Sequence, residues 1–342
     1  MHIEQVSPTP IVENFWYPIL DSHSLPNSQK ILRLKRFDRN LVLWADSNGK
    51  ITCMDERCAH RGAPLGLGSV EGNCIRCPYH GFTYNRSGEC TQIPAQGSKK
   101  VPAHFRVKTY PIRIEHGFVW MWWGNEEPSS NIPFFEELRS EDHPVCVSVK
   151  YPSAFYRLME SNLDGYHIDH LHANVSPKAL GPIVKDVEVE VTDRLIHATT
   201  RYQAKEEGKT STTVVNQVLF PNLALSLGVE AKMWNVIGCV PMDRENSWFM
   251  IRFYFKPFRW PLVGPLFAKI FSYYVEHILL PQDFAVQREQ WPRDTGIGHD
   301  KFIHADKGVA AYLKMLQQEL NLKAPAQQSI ASAREFTISG EL

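Results

Sequence analysis

One pattern constrains this chain more than any other. Cys58-Ala59-His60 is followed, after residues 61–76, by Cys77-Pro78-Tyr79-His80, and a glycine trails each cluster at Gly62 and Gly81. Thiolates are soft ligands and imidazoles borderline ones, so this mixture selects a thiophilic transition metal. A structural zinc ion takes the same ligand types. Zinc clusters, however, usually space their ligands by two or more residues, and Cys-x-His is tight around one tetrahedral ion. Disulfide pairing fits less well still. The seven Cys are odd in number, and Met1-His2-Ile3-Glu4-Gln5 has neither the basic nor the apolar region of a secretory leader.

Cys58-Ala59-His60-Arg61-Gly62-Ala63-Pro64 together with Cys77-Pro78-Tyr79-His80-Gly81 closely resembles the Rieske family. The resemblance implies a [2Fe-2S] cluster with Cys58 and Cys77 on one iron and His60 and His80 on the other. Each loop, with one Cys and one His, then straddles both irons. High-potential respiratory members carry extra Cys beside these loops. The matching positions here are Ala63 and Tyr79, so the cluster resembles the lower-potential oxygenase type, tuned by local hydrogen bonds and exposure. Phe82 stands where many relatives have Trp. The other five Cys (Cys53, Cys74, Cys90, Cys146, Cys239) are expected as buried free thiols.

The 342 residues suggest about two domains at ~150 residues each. The 37 basic and 37 acidic residues cancel, which gives no electrostatic case for nucleic acid. The longest apolar stretch, Leu262 to Leu280, is interrupted by Pro265, Lys269, Glu276 and His277, so no membrane span is expected. A cytoplasmic location is the corresponding expectation.

The first third reads as β. Leu41-Val42-Leu43-Trp44 and Ile51-Thr52-Cys53-Met54 flank an Asn48-Gly49 turn, Ser87-Gly88 marks another turn, and Val119-Trp120-Met121-Trp122-Trp123 reads as a buried strand. Asn125 to Asn131 is the best linker, which sets expected domains at 1–125 and 126–342. Beyond it, Glu160 to about Ala173 reads as helix. β-like runs follow at Val187–Val191, Thr212–Val215, Asn235–Val240 and Phe249–Phe255, with helices near Phe267–Gln290 and Ala310–Leu320. Strands bracketed by helices predict an α+β domain. Phe220, Met233, Trp234, Phe253 and Tyr254 are candidates for an apolar pocket, although aromatic residues on strands are more often core.

That second domain holds Glu160-Ser161-Asn162-Leu163-Asp164-Gly165-Tyr166-His167-Ile168-Asp169-His170-Leu171-His172. Two His and one carboxylate form the facial ligand set of non-haem Fe(II) sites, which leaves positions open for O2 and substrate. On one continuous helix Glu160, Asp164 and His167 share a face, and His170 pairs naturally with His167. His172 lies about 140° away at 3.6 residues per turn.

The segment resembles the Asp-x2-His-x4-His motif of Rieske non-haem iron oxygenases. Carried over by position, the resemblance makes Asp164 the bridging carboxylate, and His167 and His172 the iron ligands. The helix must then break, bulge or bend between them, expected after Asp169, with His170 supporting. Many relatives carry Asn where Ser161 stands, with Asn162 following here. Gln282-Asp283-Phe284-Ala285 resembles the family's late helix and makes Asp283 the third ligand, with Glu276, Glu289 and Asp294 as rivals.

The resemblance also implies a fold, an all-β Rieske domain followed by a helix-grip (START-like) domain with an antiparallel sheet and helices. It implies a terminal oxygenase that draws electrons from a reductase or ferredoxin. Such an enzyme hydroxylates or demethylates a small aromatic or cyclic substrate with O2, as a head-to-tail homotrimer. A ring-dihydroxylating dioxygenase, or a Rieske electron carrier without oxygenase activity, are the alternatives.

Overall fold

The computed structural model describes residues 9–136, 138, 145–173, 183–203, 213–228, 233–255 and 263–321. The first third contains β1 (Phe15–Asp21), β2 (Ile31–Arg36), β3 (Arg39–Ala45), β4 (Ile51–Asp55), β5 (Ser69–Glu71), β6 (Cys74–Arg76), β7 (Thr83–Asn85), β8 (Cys90–Gln92), β9 (Thr109–Tyr110), β10 (Ile112–Glu115) and β11 (Phe118–Trp123). They form three antiparallel sheets in the orders β1-β11-β10, β2-β3-β4-β9 and β5-β6-β7-β8.

The apolar runs legible in the sequence are strands buried on both faces. Along β3, Leu41 and Leu43 enter one core while Val42 and Trp44 enter another. Along β11, Val119 and Met121 face one core, and Phe118, Trp120 and Trp122 a third. Opposite faces alternate along a strand, so a two-faced core demands an unbroken apolar run.

The second half is built on one seven-stranded antiparallel sheet of β12 (Val145–Tyr151), β13 (Val184–Thr192), β14 (Leu195–Tyr202), β15 (Thr213–Leu219), β16 (Leu223–Gly228), β17 (Met233–Pro241) and β18 (Ser247–Phe255). Its order is β12-β18-β17-β16-β15-β14-β13. The helices are α1 (Phe155–Ser161), α2 (His167–Leu171), α3 (Val263–Tyr274), α4 (Leu280–Gln287) and α5 (Lys307–Glu319), with a π-helical turn at Val275–Leu279 between α3 and α4. One sheet face packs Ile196, Ala198, Val218, Ala224 and Phe253 against Phe155, Leu158 and Met159 of α1 and Val309, Tyr312 and Leu316 of α5. The other packs Leu223, Leu225, Val236, Met250 and Tyr254 against Trp16, Phe118, Trp120 and Trp122. Helices gathered on one face of an antiparallel sheet give the α+β, helix-grip architecture expected from the sequence.

The two parts are bonded directly. Phe37 N–H donates to Pro241 O at 2.8 Å and Asp38 N–H to Met242 O at 2.9 Å, and Asn222 Nδ2 donates to Trp16 O at 2.8 Å. Asp21 at the end of β1 forms a buried ion pair with Arg252 of β18, whose Nη1 also donates to Gly117 O at 2.9 Å. Gly117 sits at φ +78°, and a Cβ there would overlap the Arg252 guanidinium at 2.3 Å. Only glycine permits that approach.

Several sequence expectations change. The single helix over Glu160–Ala173 is two short ones, because α1 ends at Ser161 and α2 starts at His167. The late helix is interrupted by its π turn. Cys74 and Cys146 are only partly buried, unlike Cys53, Cys90 and Cys239. Trp234 and Tyr254 pair on the sheet face away from the helices. Phe220 and Phe253 are core on the helix side, and the Met233 side chain lies outside the described residues. Among the described residues no helix is long and apolar enough to cross a membrane.

Candidate metal centres

The two Cys/His loops are built alike. Cys58 N–H donates to Ala63 O and Gly62 N–H to Cys58 O, both at 2.9 Å; Cys77 N–H donates to Phe82 O at 2.8 Å and Gly81 N–H to Cys77 O at 3.1 Å. Each turn closes through its trailing glycine, at φ +69° for Gly62 and +71° for Gly81, a region that disfavours residues with a Cβ. The result places both thiols inside and both imidazoles outside. Cys58 and Cys77 are buried, whereas His60 and His80 are exposed with ring centroids 4.8 Å apart. Phe82 stacks on His60 at 4.5 Å.

Burial pushes the Cys77 thiol up, and the Cys58 side chain adds to this, while backbone N–H groups of Tyr79 and His80 pull it down. Tyr84 Oη lies 3.1 Å from Cys58 Sγ. Buried sulfurs ringed by N–H and O–H donors suit metal-bound thiolates, because those donors stabilise charge on sulfur. Among the described residues no three of these four ligands bring their donor atoms within 4.8 Å of one another, as one tetrahedral zinc ion requires. The donor set and its split between loops fit a two-iron cluster better.

The second centre joins segments far apart in sequence. His167, His172 and Asp283 each offer a ligand atom, all within 4.8 Å of one another. His172 Nε2 lies 3.2 Å and His167 Nε2 4.0 Å from Asp283 Oδ1. Both Nδ1 atoms face outward. His167 Nδ1–H donates to the Asp164 carbonyl at 2.6 Å, and His172 Nδ1–H to Gln282 Oε1 at 3.0 Å. These bonds fix both tautomers with the Nε2 lone pairs turned toward Asp283. Asp283 Oδ1 is buried with no hydrogen-bond partner among the described residues. Two lone pairs and a carboxylate oxygen converging on one point need a cation between them, and two His with one carboxylate is the Fe(II) facial set. Burial pulls His167 down, yet Asp164 and Asp283 outweigh it and hold its pKa above the ordinary value. Burial likewise opposes His172, which Asp283 and Gln282 raise. The field that favours a proton here also favours a metal ion.

The helix does not break after Asp169. It runs to Leu171, His172 N–H still donates to Ile168 O at 3.1 Å, and His172 leaves the helix at φ −102°, ψ 17°. The two ligands stand at opposite ends of a helix barely over one turn long, and their rings still approach with centroids 5.6 Å apart. His170, its natural partner by spacing, is exposed and outside the group. Glu160 is drawn into a buried network with Arg157 at 2.8 Å and the Gly296 N–H at 3.1 Å. Ser161 Oγ and Asn162 Nδ2 both donate to Leu158 O at 2.8 Å, closing the end of α1. Glu276 and Glu289 are exposed, and Asp294 accepts from Thr9 N–H. The Asp164 carboxylate reaches 3.7 Å from His167 Nδ1, and its Oδ1 is buried without a partner among the described residues.

Sequence reasoning missed two features. Gln282 orients His172, and its only sequence signal is its place beside Asp283. The π turn ahead of α4 closes with Leu280 N–H bonded to Val275 O. Pro281 next in line has no N–H to continue the i−4 pattern, which is a readable reason for a wider turn there.

Comparison with known proteins agrees with this geometry. Residues 15–111 match the family model described as "Rieske [2Fe-2S] domain". The chain is 31% identical over 183 residues to protein TIC 55 of Pisum sativum, covering 52% of this chain and 33% of that one. It is 24% identical over 304 residues to 4beta-methylsterol monooxygenase of Methylococcus capsulatus, covering 81% and 80%. The match spans only a third to a half of the first curated relatives' length. Among solved structures, dicamba monooxygenase bound to dicamba superposes with a TM-score of 0.75 at 18% identity, covering 91% of this chain and 98% of that one. The chain therefore carries a Rieske [2Fe-2S] domain in its first third and, over 91% of its length, shares the fold of dicamba monooxygenase.

Proposed function

We propose that this chain is the terminal component of a Rieske-type oxygenase, a monooxygenase or demethylase acting on a small aromatic or cyclic substrate. One observation carries the reading: a chain with a Rieske domain also brings His167, His172 and Asp283 together with their Nε2 and Oδ1 atoms convergent. A pure electron carrier has no use for that second set. Bound between these ligands, Fe(II) would supply O2 activation, with the cluster at Cys58, His60, Cys77 and His80 as the source of electrons.

The chain's own groups prepare both steps. The Asp164 carbonyl and Gln282 hold the imidazoles in register. Three protein ligands leave coordination positions for O2 beside a substrate. The exposed His60 and His80, next to the exposed Tyr79, give the cluster a face for a partner. We assign the electron donor to a reductase or ferredoxin, and the assembly to a head-to-tail homotrimer in which Asp164, whose Oδ1 has no partner among the described residues, links one copy's cluster to the next copy's iron. The division at residue 125 belongs to the same proposal.

The test is reoxidation of the chemically reduced protein by labelled O2 with a panel of small ring compounds. Substrate-stimulated reoxidation, with one labelled oxygen in the product, is expected. A cluster that cycles electrons with no product under any compound would support the electron carrier, and two labelled oxygens in one product would support the dioxygenase.

A further inference from the structure

The helix-side face of the seven-stranded sheet is mostly apolar, with one row that carries several hydrogen-bonding side chains. Strand register places Ala198, Asn216, Ser226, Asn235 and Phe253 directly across from one another on β14, β15, β16, β17 and β18. The row on one side reads Ile196, Val218, Ala224, Ile237 and Ile251; the row on the other begins Thr200, Val214, Gly228 and Met233. Three adjacent hydrogen-bonding side chains thus cross the middle of a core face. Core faces do not carry such groups without a partner, because an unpaired buried amide loses its water and gains nothing.

The β14–β15 end of this row lies beside the loop that carries Asp164. Gly165 follows Asp164, and a Cβ at Gly165 would stand 2.6 Å from Tyr202 Oη and 3.5 Å from Asn216 Nδ2. At the other end of the site, Phe284 beside Asp283 packs on Tyr151 with centroids 4.6 Å apart. The Asp164 loop and α4 thus both rest on this face of the sheet. On the same face Ser226 and Asn235 are only half-buried. Asn235 Oδ1 and Tyr202 Oη are out of reach of solvent and have no hydrogen-bond partner among the described residues. The row and its two neighbours carry no charged residue.

We propose that Asn216, Ser226 and Asn235, with Tyr202 at the edge, are the substrate-recognising floor of the oxygenase site. The floor selects a ring compound bearing a neutral hydrogen-bonding group, such as an amide, lactam or ketone. A carboxylate finds no charged side chain to pair with in these rows among the described residues. A plain hydrocarbon leaves the row unpaired. The proposal rests on the oxygenase reading above and sharpens it by naming the substrate class.

The experiment is calorimetric binding of three probes of like size, N-methylbenzamide, benzoate and toluene, to the iron-loaded full chain and to Asn235→Leu and Ser226→Ala. The amide is expected to bind tightest, and Asn235→Leu to weaken it about tenfold, as loss of one buried hydrogen bond does, while toluene binding holds or improves. The melting temperature of Asn235→Leu should not fall, since Oδ1 has no partner to lose among the described residues. Benzoate or toluene binding as tightly as the amide, unchanged amide binding in Asn235→Leu, or a lowered melting temperature in that variant would each overturn the proposal. Iron content is measured on the same sample. Full iron with the wrong probe order overturns this inference alone, whereas no mononuclear iron overturns the oxygenase reading and this inference with it.

Discussion

The two metal centres of this chain are built in opposite ways. The Cys58/His60 and Cys77/His80 loops are local devices, in which each turn closes within five residues through the same pair of backbone bonds and the same left-handed glycine. The His167/His172/Asp283 centre is a tertiary device. It holds only if α2 and α4 dock on the sheet, with His172 tied to Gln282 across 110 positions. A local site is specified by a few residues in a row, and a tertiary site is specified by the packing of the whole domain.

The largest effects should come from the ligands, and should fall on one centre at a time. Cys77→Ser is expected to abolish the visible spectrum of the cluster and leave mononuclear iron in place. His172→Ala should do the reverse, losing mononuclear iron and all oxygenation while keeping the cluster spectrum. His170→Ala should keep both, because that ring is exposed and outside the ligand group. Metal analysis with visible and EPR spectra separates the three. Loss of iron only in the His170 variant would contradict the assignment.

Next in size is the buried pair that joins the two halves. Asp21→Asn leaves Arg252 buried without its counter-charge and should cost about 3–5 kcal/mol. Replacing both by apolar residues of similar volume should cost much less. Burial pushes Asp21 up, but hydrogen bonds from Cys146 and His23 and the Arg252 charge outweigh it, so its pKa is lowered on folding. A lowered carboxylate contributes stability above its unfolded pKa and loses it as pH falls through the folded one. Wild-type denaturant midpoints should therefore fall in acid, and those of the double apolar variant should fall less. Equal acid slopes would contradict this account of the pair.

Smaller effects should come from the groups behind the ligands. Gln282→Ala frees the His172 ring and should weaken mononuclear iron binding roughly 10–100-fold without touching the cluster. Tyr84→Phe removes the hydroxyl beside Cys58 Sγ. It should keep the cluster and lower its reduction potential, because a hydrogen bond to sulfur favours the electron-rich state. Chelator competition and redox titration measure the two, and a Tyr84→Phe potential that rises would contradict the second.

The same contrast explains what could be read from the sequence. The cluster loops were legible because their ligands and turn glycines are contiguous. The two-faced strands β3 and β11 were legible because burial on both sides leaves no polar gap. The strands β14 (LIHATTRY) and β16 (LALSLG) were not, since His197, Arg201 and the small residues of β16 blur the strand pattern. The exit of α2 at His172 was misplaced because nothing local marks it. No glycine or proline stands there, and the turn is set by docking against Gln282. Asp283 could be named by resemblance, but its partner Gln282 and the convergence of three donor atoms required the packed domain.

The most direct measurement of the central claim is metal and acid-labile sulfide analysis of anaerobically purified protein. About three irons and about two sulfides per chain are expected, two irons in the cluster and one between His167, His172 and Asp283. Stoichiometric zinc without labile sulfide would contradict the cluster, and two irons with no third would contradict the second centre.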